Sequence, residues 1–165
     1  MTTPATPARR GVLVVGSVTA DLTTFSDRLP VPGETIIGRE FTLVLGGKGA
    51  NQVVAAGLAG AHASMVACVG QDGFGELTTD SLRAAGVDLS HLRRVDARTG
   101  IAHIRVDAAG ENNIVMVPLA NDHLDIPQID AAFAACAPTH AVLLTQLETP
   151  YRLTLHTLRQ ARANG

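Results

Sequence analysis

Leu45-Gly46-Gly47-Lys48-Gly49-Ala50-Asn51-Gln52 is the stretch on which the reading of this chain turns. Three glycines, a lysine and an asparagine stand where a loop gives way to an alanine-rich helix. Glycine lets backbone N–H groups approach a ligand closely and permits positive φ. A helix starting here directs its first, unpaired N–H groups at the same spot. Lys48 adds a charged donor and Asn51 an amide that both donates and accepts. The stretch predicts a pocket for a small, oxygen-rich molecule.

It is not a phosphate-binding P-loop. That pattern needs glycine five residues before Gly47 and Ser or Thr after the lysine, where this chain has Thr42 and Gly49. The strand Val12 to Val15 followed by Gly16 does not open a dinucleotide fingerprint either, because Val18 and Asp21 stand where its further glycines belong.

The 165-residue chain as a whole gives a globular setting, with 46% apolar and 17% charged residues. A net charge of −2 without a basic run, and 3% aromatics, argue against nucleic acid and anionic membranes as partners. No apolar run approaches a membrane span, and residues 1–10 are polar and proline-dotted, without the apolar core of a signal peptide. A cytoplasmic protein with a disordered N-terminus is expected. Cys68 and Cys136, each in apolar surroundings, are expected as buried free thiols of a reducing compartment. Six histidines without ligand spacing predict no metal site.

Gly11 to Gly16, Ser64 to Val69 and Ala141 to Gln146 have the apolar texture of strands inside a parallel sheet. Helices are expected over Ala50 to Ala59 (apolar nearly all round, hence buried), over Phe74 to Ala85 with Gly86 as its stop, and from Asp125 through Cys136. A last helix starts at Thr149-Pro150, carries Tyr151, Leu155 and Leu158 on one face, and ends at Asn164-Gly165. Alternating strands and helices predict an α/β fold, a doubly wound, Rossmann-like parallel sheet flanked by helices. Two antiparallel inserts, about residues 22–45 and 101–117, interrupt the alternation, with Asn112 and Asn113 assigned to the turn of the second. Asp21, just past the C-terminal end of the first strand, is well placed for a ligand, because open α/β sheets bind there. By itself it reads as an ordinary turn or cap aspartate; the loop Gly46 to Asn51 close by favours the ligand.

Gly46-Gly47-Lys48-Gly49-Ala50-Asn51, then Gly60, then Gly70, resembles the N-terminal signature of the ribokinase-like (PfkB) carbohydrate kinases. Val15-Gly16-Ser17 with Asp21, Pro32-Gly33-Glu34-Thr35, Gly70-Gln71-Asp72 with Phe74-Gly75, Thr99-Gly100 and Gln146-Leu147-Glu148 extend the likeness from Gly11 to the end. Val53 departs from it, since a small residue is usual there. The resemblance implies ATP-dependent phosphorylation of a sugar's primary hydroxyl, with D-ribose to D-ribose 5-phosphate expected first. It implies that Asp21, Gly46, Gly47, Lys48, Asn51 and Glu148 line the sugar. Thr19, where asparagine is usual, would be a specificity position, because a hydroxyl makes only part of an amide's hydrogen bonds. The two inserts would form an antiparallel β lid that doubles as a homodimer contact.

Several readings of single residues stay open. Glu148 could serve the dipole of the helix after it, and Lys48 could be a solvated surface lysine. Asp72 is expected to shape its turn. Family members are about double this length. The ATP site, the Mg²⁺-associated acids, the partners of a monovalent cation and the general-base aspartate of a Gly-Ala-Gly-Asp motif would therefore lie outside residues 11–165, which contain no Gly-x-Gly-Asp. No catalytic residue is expected in this chain, and alone it should be inactive. The alternatives are a non-catalytic sugar-binding remnant, or a family member acting on fructose, a nucleoside or a keto-deoxy sugar acid.

Overall fold

The computed structural model describes residues 10–164. The expected disorder of the N-terminus falls largely on residues 1–9, outside the described residues; Arg10 already donates its backbone N–H to Thr139. Thirteen elements follow: β1 (Gly11–Val15), β2 (Thr19–Phe25), β3 (Glu40–Gly46), α1 (Lys48–Leu58), β4 (His62–Gly70), α2 (Gly73–Ala84), β5 (Asp88–Val95), β6 (Gly100–Val106), β7 (Asn112–Val117), a 3₁₀ turn (Leu119–His123), α3 (Ile126–Cys136), β8 (His140–Thr145) and α4 (Tyr151–Asn164).

The main sheet has the order β5-β4-β1-β8, all parallel. Its central strands, β1 and β4, are apolar on both faces because helices cover both. Period-2 alternation sends Leu13 and Val15 of β1, with Val66 and Cys68 of β4, into a core with Ile129, Phe133 and Leu153 of α3 and α4. Val14, Met65, Ala67 and Val69 point the other way, against Ala50 and Val53 of α1 and Leu82 of α2. Both cysteines are buried and free.

The two inserts are not separate flaps. They merge into one second sheet, β3-β2-β6-β7, because β2 and β6 pair in parallel from Thr19–Gly100 to Phe25–Val106. The antiparallel pairs β2–β3 and β6–β7 flank that seam. The sheet begins at Thr19, earlier than residue 22, and so takes Asp21 into a strand. Asn112 and Asn113 lie in β7; the turn before it is built by Asp107, whose carboxylate accepts from the N–H groups of Ala109 and Glu111.

Two helical faces differ from expectation. α1 buries only Gly49, Ala50 and Val53, and Leu58 is 79% exposed, because one side of the helix meets β1 and β4. α4 buries Leu153, Thr154 and Thr157, leaving Tyr151 and Leu158 on the surface. Its docking side is set by the contact with α3 and by Thr154, whose hydroxyl donates to the Gln146 carbonyl. The expected Gly165 cap lies outside the described residues. Asp125 caps α3 through the Gln128 N–H, but the Gln128 side chain does not return the bond as a capping box would. Its amide instead donates to the carbonyls of Ala67 and His91, stitching α3 to β4 and β5.

Candidate functional site

The glycine loop joins β3 of the second sheet to α1 of the main layer. Gly47 has φ of 92°, and a Cβ there would stand 2.8 Å from the Ser17 carbonyl oxygen. Only glycine meets both demands. A Cβ on Gly46 would stand 2.0 Å from the Asp21 carboxyl, so the bare backbone at 46 makes room for that side chain.

The first N–H groups of α1 are not free, which corrects the expectation that they face a ligand. Lys48 N–H donates to Glu148 Oε2 at 3.0 Å, and Gly49 N–H points to Ser17 Oγ at 3.4 Å. Ala50 N–H donates to the Ser17 carbonyl, and Asn51 N–H to Gly47. Glu148 thus complements the N-terminus of α1, from beyond the end of β8, rather than that of the helix following it. Its carboxylate also takes Ser17 Oγ at 2.6 Å and the Lys48 ammonium. Burial alone would raise the Glu148 carboxyl, but hydrogen bonds from the Lys48 ammonium, Ser17 and the Lys48 N–H hold it below the ordinary carboxylate range.

Asp21 is half-buried in β2, opposite Val44 on one side and Ala102 on the other. It caps no helix. Its Oδ1 accepts from the buried Thr19 hydroxyl at 2.7 Å. Burial, with the nearby Glu148 charge adding to it, raises its pKa against the pull of Thr19 and Lys48. Asp21 also lines the cleft between the glycine loop and the second sheet.

That cleft, about 140 Å³, is lined by Thr19, Asp21, Gly47, Lys48, Asn51 and Glu148, and by Ala102, Ile104, Ile114 and Met116 of β6 and β7. One side is polar and carries both charge signs; the other is apolar. Gly46 stands behind Asp21. The structure therefore brings together all seven residues singled out in the sequence. Asp72 is not among them: it caps α2 through Gly75 N–H and holds Thr99 by its N–H and hydroxyl, a structural part as expected.

The sequence pattern of the pfkB family carbohydrate kinases matches residues 9–165. The chain belongs to that family. It is 35% identical over 158 residues to a ribokinase of Haemophilus influenzae, covering 95% of this chain and 51% of that protein. It is 40% identical over 155 residues to a ribokinase of Mus musculus, covering 93% and 48%. Among solved structures, an Arabidopsis thaliana ribokinase complexed with ribose and ATP superposes with a TM-score of 0.80 at 27% identity, over 96% of this chain and 52% of the other. The pfkB chain thus spans about half the length of these relatives.

Two residues of this pfkB chain had no assigned part in the sequence. Ser17, fully buried, ties the loop after β1 to Glu148 and Gly49. Its place between Gly16 and the strand carrying Asp21 was the available signal. Asn121, 1% exposed, bonds to the backbone on both sides of the second sheet's junction with the main layer, with no motif to mark it.

Proposed function

We propose that this chain is the sugar-recognising part of an ATP-dependent sugar kinase that phosphorylates the primary hydroxyl of D-ribose to give D-ribose 5-phosphate. The observation that carries the reading is the convergence of Asp21, Lys48, Asn51 and Glu148 on one cleft in a chain of a carbohydrate-kinase family. Vicinal hydroxyls need acceptors that take two hydrogen bonds and donors that approach from the side. With Oδ1 partly engaged by Thr19, the Asp21 carboxylate keeps lone pairs for two hydroxyls. Accepting them offsets the cost of its burial. Lys48 and Asn51 donate to sugar oxygens; Glu148 fixes Lys48 and offers its remaining lone pairs. Ala102, Ile104, Ile114 and Met116 form an apolar wall for the C–H face of the ring.

In this reading the second sheet is a lid that closes over the sugar and excludes water. Phe41, Val44 and Val115 are each more than half exposed on that sheet, which suits a second copy of the chain as partner. We place the enzyme in the cytoplasm, where ATP is available; no described helix is long and apolar enough to cross a membrane.

ATP and Mg²⁺ belong to the proposed reaction, and the described residues do not fit them. The first four N–H groups of α1 are spent on Glu148, Ser17 and Gly47, so the glycine loop offers no phosphate cradle. Among the described residues no three His, Cys, Asp or Glu side chains are grouped to hold a metal ion. No step of phosphoryl transfer is therefore assigned to these residues, and in this reading the chain alone binds sugar without turnover. A second reading, a non-catalytic sugar binder, is favoured by that same commitment of the loop. Thr19 leaves the choice among ribose, fructose, a nucleoside and a keto-deoxy sugar acid to experiment, because its hydroxyl is already occupied by Asp21.

The test pairs calorimetry of a panel of these sugars with ADP release under ATP and Mg²⁺. The expected result is D-ribose binding and ADP release no higher than the sugar-free blank. ADP release by this chain would mean that its residues include a nucleotide site and a general base. Tighter binding of another sugar would replace ribose, and no binding by any of them would overturn the reading.

A further inference from the structure

The backbone passes between the main layer and the second sheet at four places: between β1 and β2, β3 and α1, β5 and β6, and β7 and the 3₁₀ turn. Three of these crossings meet at the side chain of Asn121. Its Oδ1 accepts from Val18 N–H at 2.8 Å, and its Nδ2 donates to the Val18 carbonyl at 2.9 Å. One amide thus pairs with both polar groups of Val18, as a neighbouring strand would. The second Nδ2 hydrogen goes to the Pro118 carbonyl at 2.9 Å, where β7 leaves the sheet. The third crossing is held by shape: a Cβ on Gly100, the first residue of β6, would stand 2.3 Å from Nδ2. The next residue back adds a backbone tie, since Ala120 N–H donates to the Arg98 carbonyl at 2.9 Å.

The Asn121 amide has one acceptor and two donors engaged, and the residue is 1% exposed. Beside it, Leu119 holds φ of 49°, and among the described residues it is the non-glycine with positive φ. Leucine occupies that region only where its surroundings over-determine it. The determining contacts are those of Pro118, Ala120 and Asn121 on either side. Strain held in place by a clamp, at a junction between two sheets, is the arrangement expected of a hinge.

We propose that Asn121 is the positioning residue of the lid hinge: its amide fixes Val18, Gly100 and Pro118 in one geometry, and through them sets where β6 and β7 stand over the cleft. The inference rests on the reading of the second sheet as a lid over a sugar. Ala102 and Ile104 lie two and four residues beyond Gly100, and Met116 and Ile114 two and four residues before Pro118, so rotation at the clamp moves the whole apolar wall. Asn121 itself is not among the residues lining the cleft.

The test is hydrogen exchange, read strand by strand, on the full chain and on Asn121→Ala and Asn121→Asp, together with D-ribose calorimetry. Asn121→Asp keeps the acceptor for Val18 N–H and loses both donors, so it supplies the answer if the alanine variant fails to fold. Exchange of β2, β6 and β7 amides should rise on the order of tenfold while β1 and β4 stay unchanged. Ribose affinity should fall by a similar factor. Equal acceleration in both sheets would make Asn121 an ordinary stabilising residue and overturn the proposal, as would unchanged exchange in the second sheet. Faster exchange there with unaltered ribose affinity would overturn its positioning role. If the unsubstituted chain binds no sugar, the sugar-site reading falls, and the strand-by-strand exchange pattern still decides the hinge.

Discussion

The two sheets of this molecule have four strands each and opposite relations to solvent. In the main sheet, Val14, Met65, Val66 and Val69 are fully buried, because the central strands β1 and β4 are covered by helices on both faces. In the second sheet, Phe41, Val44, Ile114 and Val115 are 51 to 59% exposed. A sheet covered on both faces draws its stability from area removed from water. An open one depends on a few specific ties and on what comes to cover it. The ties here are polar: the Asn121 amide, and the Asp72 carboxylate that holds Thr99 beside Gly100. On the proposed reading, the first sheet is the platform and the second the movable wall of the cleft.

Met65→Ala breaks the comparison from the platform side and should have the largest effect. A fully buried methionine cut to alanine costs about 2–5 kcal/mol, so urea denaturation should show that loss with both sheets unfolding together. Gly46→Ala attacks the cleft instead. Its Cβ displaces the Asp21 carboxyl, so ribose affinity should fall by about 100-fold, while stability changes by less than about 1 kcal/mol.

Asp21→Asn should separate binding from stability. Because burial raises the Asp21 pKa, the folded state binds protons more readily than the unfolded chain, and stability falls as pH rises from the unfolded value through the folded one. At neutral pH the uncharged amide should therefore be the more stable in thermal denaturation, and should bind ribose poorly. Glu148 has the opposite sign. Its lowered pKa contributes stability that is present above the ordinary carboxylate value and is lost as pH falls through the depressed one. Acid titration should show a smaller drop in that window for the Glu148→Gln chain than for the unsubstituted one, the remaining drop coming from Asp72, Asp88 and Asp125, whose carboxyls are also held low. The smallest effect is expected from Leu119→Gly, where relief of positive φ is offset by the greater entropy of an unfolded glycine. Stability should stay within about 1 kcal/mol of the original.

The parallel core was legible because its strands are short apolar runs separated by helices that end at glycine. Gly86, for instance, takes φ of 75° after α2. The cleft was legible because Gly46 to Asn51 carries its chemistry in consecutive positions. What escaped reading was non-local. The β2–β6 seam joins strands about 80 positions apart, and nothing within either insert specifies a parallel partner. The N–H groups of α1 find acceptors in Ser17 and Glu148, the latter 100 positions from Lys48. Helix geometry shows where those donors point, but only the fold shows what reaches them. The exposed face of α4 escaped for a related reason: Tyr151, Leu155 and Leu158 have helical spacing, yet the surface that receives the helix selects Leu153 and Thr157.

Sugar binding in the cleft between the glycine loop and the second sheet can be observed residue by residue. Titration of the isotope-labelled chain with D-ribose, followed by amide chemical shifts, tests it most directly. Shifts should concentrate at Asp21, Gly46 to Asn51, Ala102 to Ile104, Ile114 to Met116 and Glu148, with β4 and β5 unmoved. Shifts confined to other surfaces, or none at saturating ribose, would contradict it.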